Sequence, residues 1–161
     1  MKLPNPREYF RSKGCDYWDE QQPAYGSLRL YDSVTIVGYE CGTTAYFLLQ
    51  RGVKRIIGFE SDPRLLEIAK EVARELGFLD KVELYGEWNG QPTDTDTLIM
   101  DCEGCEEFLR PEVLLRYKSW CVAFHVWSPF ALNRIMALRP YINPRKTYTT
   151  PDGRETVYCF P

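Results

Sequence analysis

Short apolar runs alternate along the chain with longer stretches whose apolar residues recur at helical spacing. The short runs predict five strands: VTIV at 34–37, KRIIGFE at 54–60, KVELYG at 81–86, TLIMD at 97–101 and WCVAFHVW at 120–127. The longer stretches predict helices: TTAYFLLQRG at 43–52, SDPRLLEIAKEVARELG at 61–77, EEFLRPEVLLRY at 106–117 with a break at Pro111, and SPFALNRIMALRPY at 128–141. The segments 146–150 and 155–160 flank a PDG turn and predict a terminal hairpin.

The stretch 61–77 is the clearest helix. Asp62 is a favoured N-cap residue, Pro63 suits the first helical position and Gly77 ends the helix. The segment 1–32 is instead polar and aromatic, and we expect one short helix around 7–13 followed by a loop.

Alternating strands and helices with short connections are typical of an open, mostly parallel sheet with helices on both faces. We therefore predict an α/β, Rossmann-like fold with a seven-stranded, mostly parallel sheet and a C-terminal antiparallel hairpin. The 161 residues form one domain, with an N-terminal lid or helix segment at 1–32 and the core at 33–161. In such sheets ligands bind beyond the carboxyl ends of the strands, where the strand order reverses.

Charge and hydropathy exclude several classes of protein. Twenty basic against 23 acidic residues give a net charge of -3, which disfavours a protein that mainly grips nucleic-acid phosphates. No apolar run approaches the roughly 18 residues of a membrane span. The N-terminus lacks the apolar core of a secretion signal, so we expect a cytoplasmic protein.

The six cysteines have irregular spacing: Cys15, Cys41, Cys102, Cys105, Cys121 and Cys159. Without a secretion signal we expect mostly reduced thiols. Cys102 and Cys105 have the spacing of a redox or zinc motif, but no second spaced pair completes a zinc site. We predict packed thiols here and no metal site.

The residues that follow the first two strands suggest a nucleotide site. Gly38 and Gly42 allow a sharp turn and a close backbone approach to a ligand. Glu60, at the end of the second strand, suits the acid that binds ribose hydroxyls in nucleotide-binding βαβ units. Plainer alternatives are two packing glycines and a solvated loop carboxylate or helix-dipole partner.

Residues 34–106 resemble the class I S-adenosylmethionine-dependent methyltransferases and, more narrowly, the FkbM-like family. VTIVGYECGTT is similar to that family's first glycine loop, RIIGFESDP to its second strand with the ribose-binding acid, and KVELYGEW to its third strand. LIMDCEGCE resembles the family's D-x-E-G-x-E signature, and AFHVW puts His125 where the family often has a histidine.

The resemblance implies S-adenosylmethionine as the cofactor. The residues it implies for cofactor binding are Gly38, Tyr39, Glu40 and Gly42 for the methionine and sugar, Glu60 for the ribose hydroxyls, Ser61 beside the adenine, Glu87 and Trp88 as caps on the base, and Asp101 facing the sulfonium. Asp101, Glu103 and His125 are the catalytic candidates, because an acceptor hydroxyl loses its proton to a carboxylate or a histidine. Two alternative roles stay open: Asp101 could be a helix N-cap, and His125 could be a hydrogen-bonded core residue.

Three functions compete. The first is a methyltransferase, with O-methyl transfer to the small-molecule or glycan hydroxyl acceptor that the resemblance implies. The second is a non-catalytic cofactor-binding or interaction protein, which Ile36 and Ala123 favour because the family often has acids at these positions. The third, a nicotinamide-dependent oxidoreductase, is disfavoured because the loop from Gly38 to Gly42 lacks the middle glycine of that fingerprint.

The aromatic N-terminal residues Tyr9, Phe10, Tyr17, Trp18 and Tyr25 predict a lid or acceptor wall, or else a homodimer contact.

Overall fold

The computed structural model describes residues 2–17, 22–127, 131–141 and 147–161. The strands are β1 (Ser33–Val37), β2 (Arg55–Phe59), β3 (Val82–Tyr85), β4 (Thr97–Met100), β5 (Ser119–His125), β6 (Thr147–Thr149) and β7 (Glu155–Phe160). The α-helices are α1 (Pro6–Ser12), α2 (Gln22–Ser27), α3 (Thr43–Gln50), α4 (Pro63–Glu75), α5 (Pro111–Leu114) and α6 (Ala131–Leu138). Short 3₁₀ turns occupy Leu79–Lys81, Cys105–Phe108 and Arg139–Tyr141. None of the helices in these ranges has the length and apolar character needed to cross a bilayer.

The seven strands form one sheet in the order β3-β2-β1-β4-β5-β7-β6. Strands β1 to β5 are parallel, whereas β7 pairs antiparallel with both β5 and β6. The chain builds outward from β1 to β3 and then crosses back to β4, so the order reverses between β1 and β4. The predicted α/β fold, with its mostly parallel sheet and terminal antiparallel hairpin, is confirmed.

Helices cover the central strands on both faces, which explains why these strands are apolar without strict alternation. On β1, Ile36 packs into a core shared with α1, α3 and α4, and Val37 packs into a second core shared with α5 and α6. The carboxyl ends of the strands are therefore held between two buried layers.

Helix α4 begins and ends where the sequence predicts. The Asp62 side chain accepts a hydrogen bond from the Arg64 backbone N–H at 2.8 Å, and Pro63 is the first helical residue. Gly77, beyond the helix end, has a φ of 73°, a conformation that glycine adopts without strain.

Two segments differ from the predicted helices. A second N-terminal helix, α2, replaces part of the predicted loop, because Ala24 and Tyr25 bury against the sheet. The predicted helix at 106–117 is instead a 3₁₀ turn followed by a short helix that starts at Pro111, since proline is tolerated in a first turn but not inside a helix. The predicted Ser-Pro helix start at 128–129 lies outside the described residues.

The N-terminal aromatic residues contribute to the core. Phe10 is fully buried and Tyr25 is 2% exposed, and both belong to the cluster beneath α3 and α4. The lid or dimer role of the segment stays a prediction, and Trp18 lies outside the described residues.

The expectation of reduced thiols is wrong. The cysteines form three disulfide bonds, Cys15–Cys41, Cys102–Cys105 and Cys121–Cys159, and none is free. Two of the pairs depend on the fold, and Cys121 and Cys159 are direct cross-strand partners in β5 and β7. The Cys102–Cys105 bond instead joins the two cysteines whose spacing is that of a redox motif.

Candidate functional site

A cavity of about 550 Å³ opens at the carboxyl ends of β1 to β4, where the strand order reverses. This volume lies in the range of small-molecule sites. The cavity wall includes most of the residues predicted from the sequence: Gly38, Glu40, Glu60, Ser61, Glu87, Trp88, Asp101 and Glu103. Tyr39, Gly42 and His125 do not line it.

Gly38, the residue after β1, lies in close contact with the backbone of Asp101, the residue after β4. Its φ is 83°, and a Cβ at this position would overlap the backbone carbonyl of Asp101. Its N–H donates to the Phe59 carbonyl at 3.0 Å, which ties the glycine loop (residues 38–42) to β2. The close approach that requires glycine here is therefore to the protein's own backbone.

Tyr39 and Gly42 belong to the glycine loop but do not face the cavity. The Tyr39 ring is 2% exposed and packs over Gly58 of β2, where a side chain would collide with it. Gly42 is the N-cap of α3, with a φ of 89°. Both residues shape the loop from below, and the wall facing the cavity comes from Gly38 and Glu40.

Glu60 joins the ends of β1 and β2. One carboxylate oxygen accepts the Glu40 backbone N–H at 2.7 Å and the other accepts the Asp62 N–H at 2.8 Å. Glu60 is 8% exposed and also lines the cavity. It fixes the glycine loop and also forms part of the cavity wall.

The wall beyond β3 contains an aromatic ring. The Trp88 indole N–H donates to the Gln91 carbonyl at 2.9 Å, which fixes the segment 88–91 at the cavity edge. Glu87 lies beside it in the wall. A flat ring next to a carboxylate suits a heterocyclic base with an amino group.

Acidic side chains crowd the β1–β4 side of the cavity. Burial raises the pKa of Glu40 to about 8, and the nearby charges of Asp101, Glu60 and Glu103 contribute to the rise. Glu40 and Glu103 both have left-handed backbone conformations, with φ values of 52° and 50°. Such strain in residues other than glycine is concentrated at functional sites.

His125 lies behind Asp101, buried at 5% exposure. Its Nε2 is 3.4 Å from Asp101 Oδ1 and 3.2 Å from Glu155 Oε2, and its Nδ1 is 3.1 Å from Glu106 Oε1. Burial alone would lower the pKa of His125, but hydrogen bonding to these carboxylates raises it to about 12. The ring is therefore protonated at neutral pH and is poorly suited to accept a proton.

Sequence reasoning assigned no role to Glu106 or Glu155. Glu106 has no exposed surface and also accepts the backbone N–H groups of His125 and Gly104. It is the last acid of the segment LIMDCEGCE, so that motif was an available signal. Glu155 has no sequence signal, because only the antiparallel register of β7 places it opposite His125.

Comparison with known proteins identifies viral relatives. The chain is 43% identical over 155 residues to "Uncharacterized protein 158B" of Sulfolobus islandicus rod-shaped virus 1, covering 94% of this chain and 96% of that protein. It is 39% identical over 153 residues to "Uncharacterized protein 65" of Sulfolobus islandicus filamentous virus (isolate Iceland/Hveragerdi), covering 94% and 95%. No protein-family model matches the chain.

Solved structures share the fold at low sequence identity. A protein of the NADB-Rossmann superfamily from Streptococcus agalactiae matches with a TM-score of 0.71 and 15% identity, over 89% of this chain and 68% of that one. The O-methyltransferase from Bacillus cereus, in complex with S-adenosylhomocysteine, matches with a TM-score of 0.65 and 13% identity, over 99% and 91%. The fold is thus the Rossmann-like fold of class I methyltransferases.

Proposed function

The chain belongs to the family of protein 158B of Sulfolobus islandicus rod-shaped virus 1 and protein 65 of the filamentous virus, and for it we propose an S-adenosylmethionine-dependent methyltransferase that acts on a hydroxyl acceptor. The observation that carries the proposal is Glu60, which lines the cavity at the strand-order reversal while both its oxygens hold backbone N–H groups of the surrounding loops. An acid held in this way at the end of β2 suits the ribose of a nucleoside cofactor.

The cavity residues fit each part of this cofactor. Glu60 would accept the ribose hydroxyls, Trp88 and Glu87 would hold the adenine, with Ser61 beside it, and Gly38 and Glu40 would face the methionine end. Glu40 takes the place of a carboxylate on β1, since Ile36 is buried in the core and cannot reach the cavity. The segment DCEGCE at 101–106, which resembles the D-x-E-G-x-E signature, supports the narrower FkbM-like relationship.

Asp101 is the residue we assign to the acceptor. S-adenosylmethionine, when bound, supplies an electrophilic methyl group: the oxygen–carbon bond forms as the carbon–sulfur bond breaks, and sulfur keeps the electron pair. Asp101 takes the hydroxyl proton, and Glu103 adds a second carboxylate beside it. His125 is a positioning residue, because it contacts Asp101 from behind and already carries a proton.

The test is release of S-adenosylhomocysteine from S-adenosylmethionine, measured by mass spectrometry over a panel of small-molecule and glycan hydroxyl acceptors. Asp101→Asn should lower turnover by about 10²–10⁴-fold and leave S-adenosylhomocysteine affinity unchanged. Glu112→Gln, an exposed carboxylate in α5, is the matched control. Turnover that survives Asp101→Asn would contradict the assignment.

A non-catalytic cofactor-binding protein is the second candidate. Ile36 and Ala123 favour it, because both are buried in the same apolar core, where the FkbM-like pattern often has acids. Tight S-adenosylhomocysteine binding without methylation of any acceptor in the panel would select this candidate.

A further inference from the structure

We propose that Asp101, His125 and Glu155 bind one divalent transition-metal ion, of the zinc or manganese type, behind the part of the cavity wall that Asp101 forms. The sequence alone predicted no metal site. Each of the three residues offers one ligand atom, and these atoms all lie within 4.8 Å of one another. His125 and Glu155 are buried and Asp101 is partly buried, so the set is not a solvated surface cluster.

The two separations from the His125 ring fit ligands that share an ion. His125 Nε2 lies 3.4 Å from Asp101 Oδ1 and 3.2 Å from Glu155 Oε2. Ligands about 2.1 Å from an ion are about 3.0 Å apart in octahedral geometry and about 3.4 Å apart in tetrahedral geometry. Both contacts are longer than the roughly 2.7–2.9 Å of a charge-assisted hydrogen bond, and the two carboxylates share the single Nε2 hydrogen of the metal-free ring.

Glu106 supplies the outer contact that metal-binding histidines usually have. Its Oε1 lies 3.1 Å from His125 Nδ1 and 3.1 Å from the His125 backbone nitrogen. Its Oε2 accepts the Gly104 N–H at 2.8 Å, so the carboxylate is held on both sides. A proton on Nδ1 directed to this carboxylate would orient the ring, and metal binding would release the Nε2 proton and use the lone pair that it leaves.

Tyr25 gives an independent indication of a missing partner. Its side chain is 2% exposed, and its hydroxyl has no hydrogen-bond partner within the described ranges. The hydroxyl interacts with Asp101 and is close to Glu155, so it faces the same carboxylates. This contact is too poorly aligned to count as a full hydrogen bond, and a water molecule bound to an ion at the site would give the hydroxyl a better partner.

The donor set indicates the class of ion. One imidazole nitrogen with two carboxylates suits zinc, manganese or ferrous iron, whereas copper(I) prefers sulfur ligands. For the role of the ion the inference depends on the proposed function: of the three ligands only Asp101 lines the cavity, so the ion would fix the Asp101 carboxylate from behind. Binding of the ion itself does not depend on methyl transfer.

The experiment uses tag-free protein, because His125 is then the only imidazole in the sample. After chelator treatment and dialysis, Co²⁺ is followed by its visible absorption and Zn²⁺ by calorimetry. We expect one ion per chain, with affinity at least tenfold weaker in both Glu155→Gln and His125→Gln. Glu106→Gln should weaken binding by about 10–100-fold, as loss of an outer contact does. Glu112→Gln should bind like the wild type.

Circular dichroism shows whether each variant is folded, and the His125 imidazole resonances of the wild type report Zn²⁺ binding without any substitution. The proposed metal site is refuted if the folded wild-type chain binds neither ion. It is also refuted if the metal affinity is unchanged in both Glu155→Gln and His125→Gln. S-adenosylhomocysteine calorimetry on the same metal-free samples separates the two proposals. Cofactor binding without ion binding refutes only the metal site, and ion binding without cofactor binding refutes only the methyltransferase.

Discussion

Glu40→Gln should stabilise the protein, and the gain should grow with pH. The Glu40 carboxyl is half-buried and faces Glu60, Asp101, Glu103 and Asp16, which together with burial raise its pKa from 4.5 to about 8. A raised folded-state pKa means that the folded protein holds this proton more tightly than the unfolded chain. The resulting stability is fully present below about pH 4.5 and is lost as the pH rises to about 8.

The size of the effect follows from the two pKa values. At neutral pH the unfolded chain has released the proton and the folded protein has kept it. This difference lowers the free energy of unfolding by at most about 3 kcal/mol relative to low pH. Solvent screening at a half-buried carboxyl reduces this cost to about 1–2 kcal/mol. Glutamine mimics the protonated acid and carries no such cost, so the melting temperature should rise by roughly 2–8 °C.

Urea unfolding of wild type and Glu40→Gln, at about pH 5 and about pH 7.5, measures the predicted change. A chelator is included, because a bound cation would offset the carboxylate charges. The difference in unfolding free energy should be small at the lower pH and should favour the variant at the higher pH. An equal difference at both pH values, or a less stable variant at the higher pH, would refute the electrostatic reasoning.

Two further changes test the fold around the site. Gly38→Ala should cost more than about 3 kcal/mol, because a Cβ meets the backbone of Asp101 and Cys102 just after β4. Gly52→Ala, with a φ of 97° and open space, should cost only the roughly 1–2 kcal/mol of a left-handed residue. Equal costs in urea unfolding would mean that the close approach at Gly38 is not rigid. Replacing Cys121 and Cys159 together by alanine opens a link across 38 residues and should cost about 4 kcal/mol. A double variant with the urea midpoint of the wild type would show that this bond is not formed.

Local sequence features predicted most of the fold. The apolar runs located the strands, and the Asp62-Pro63 pair located the start of α4. The Cys121–Cys159 pair could not be predicted in this way, because the sheet brings together residues that are distant in sequence. The Cys102–Cys105 pair had a sequence signal, the C-x-x-C spacing, which we interpreted as packed thiols. Helix α2 was missed because its stability comes from burying Tyr25 and not from its local propensity.

The site residues that directly follow a parallel strand could be predicted from the sequence, whereas those brought together by tertiary contacts could not. Glu60 and Asp101 follow parallel strands directly, so the rule for ligand sites in such sheets located them. Tyr39 lies in the same loop but turns beneath it, which spacing alone cannot show. Glu155 reaches His125 only through the hairpin register, and this contact changes the histidine from a candidate base into a buried, protonated ring.

Calorimetric titration of S-adenosylhomocysteine into the folded protein tests the central claim most directly, with NAD as the competing ligand. We predict one S-adenosylhomocysteine site per chain and at least tenfold weaker binding in Glu60→Ala, because hydrogen bonds to a charged group contribute about 1.5–3 kcal/mol. Glu60 also holds two backbone N–H groups, so circular dichroism must show that the variant is folded. No binding by the wild type, equal affinity in the folded variant, or preference for NAD would contradict the account.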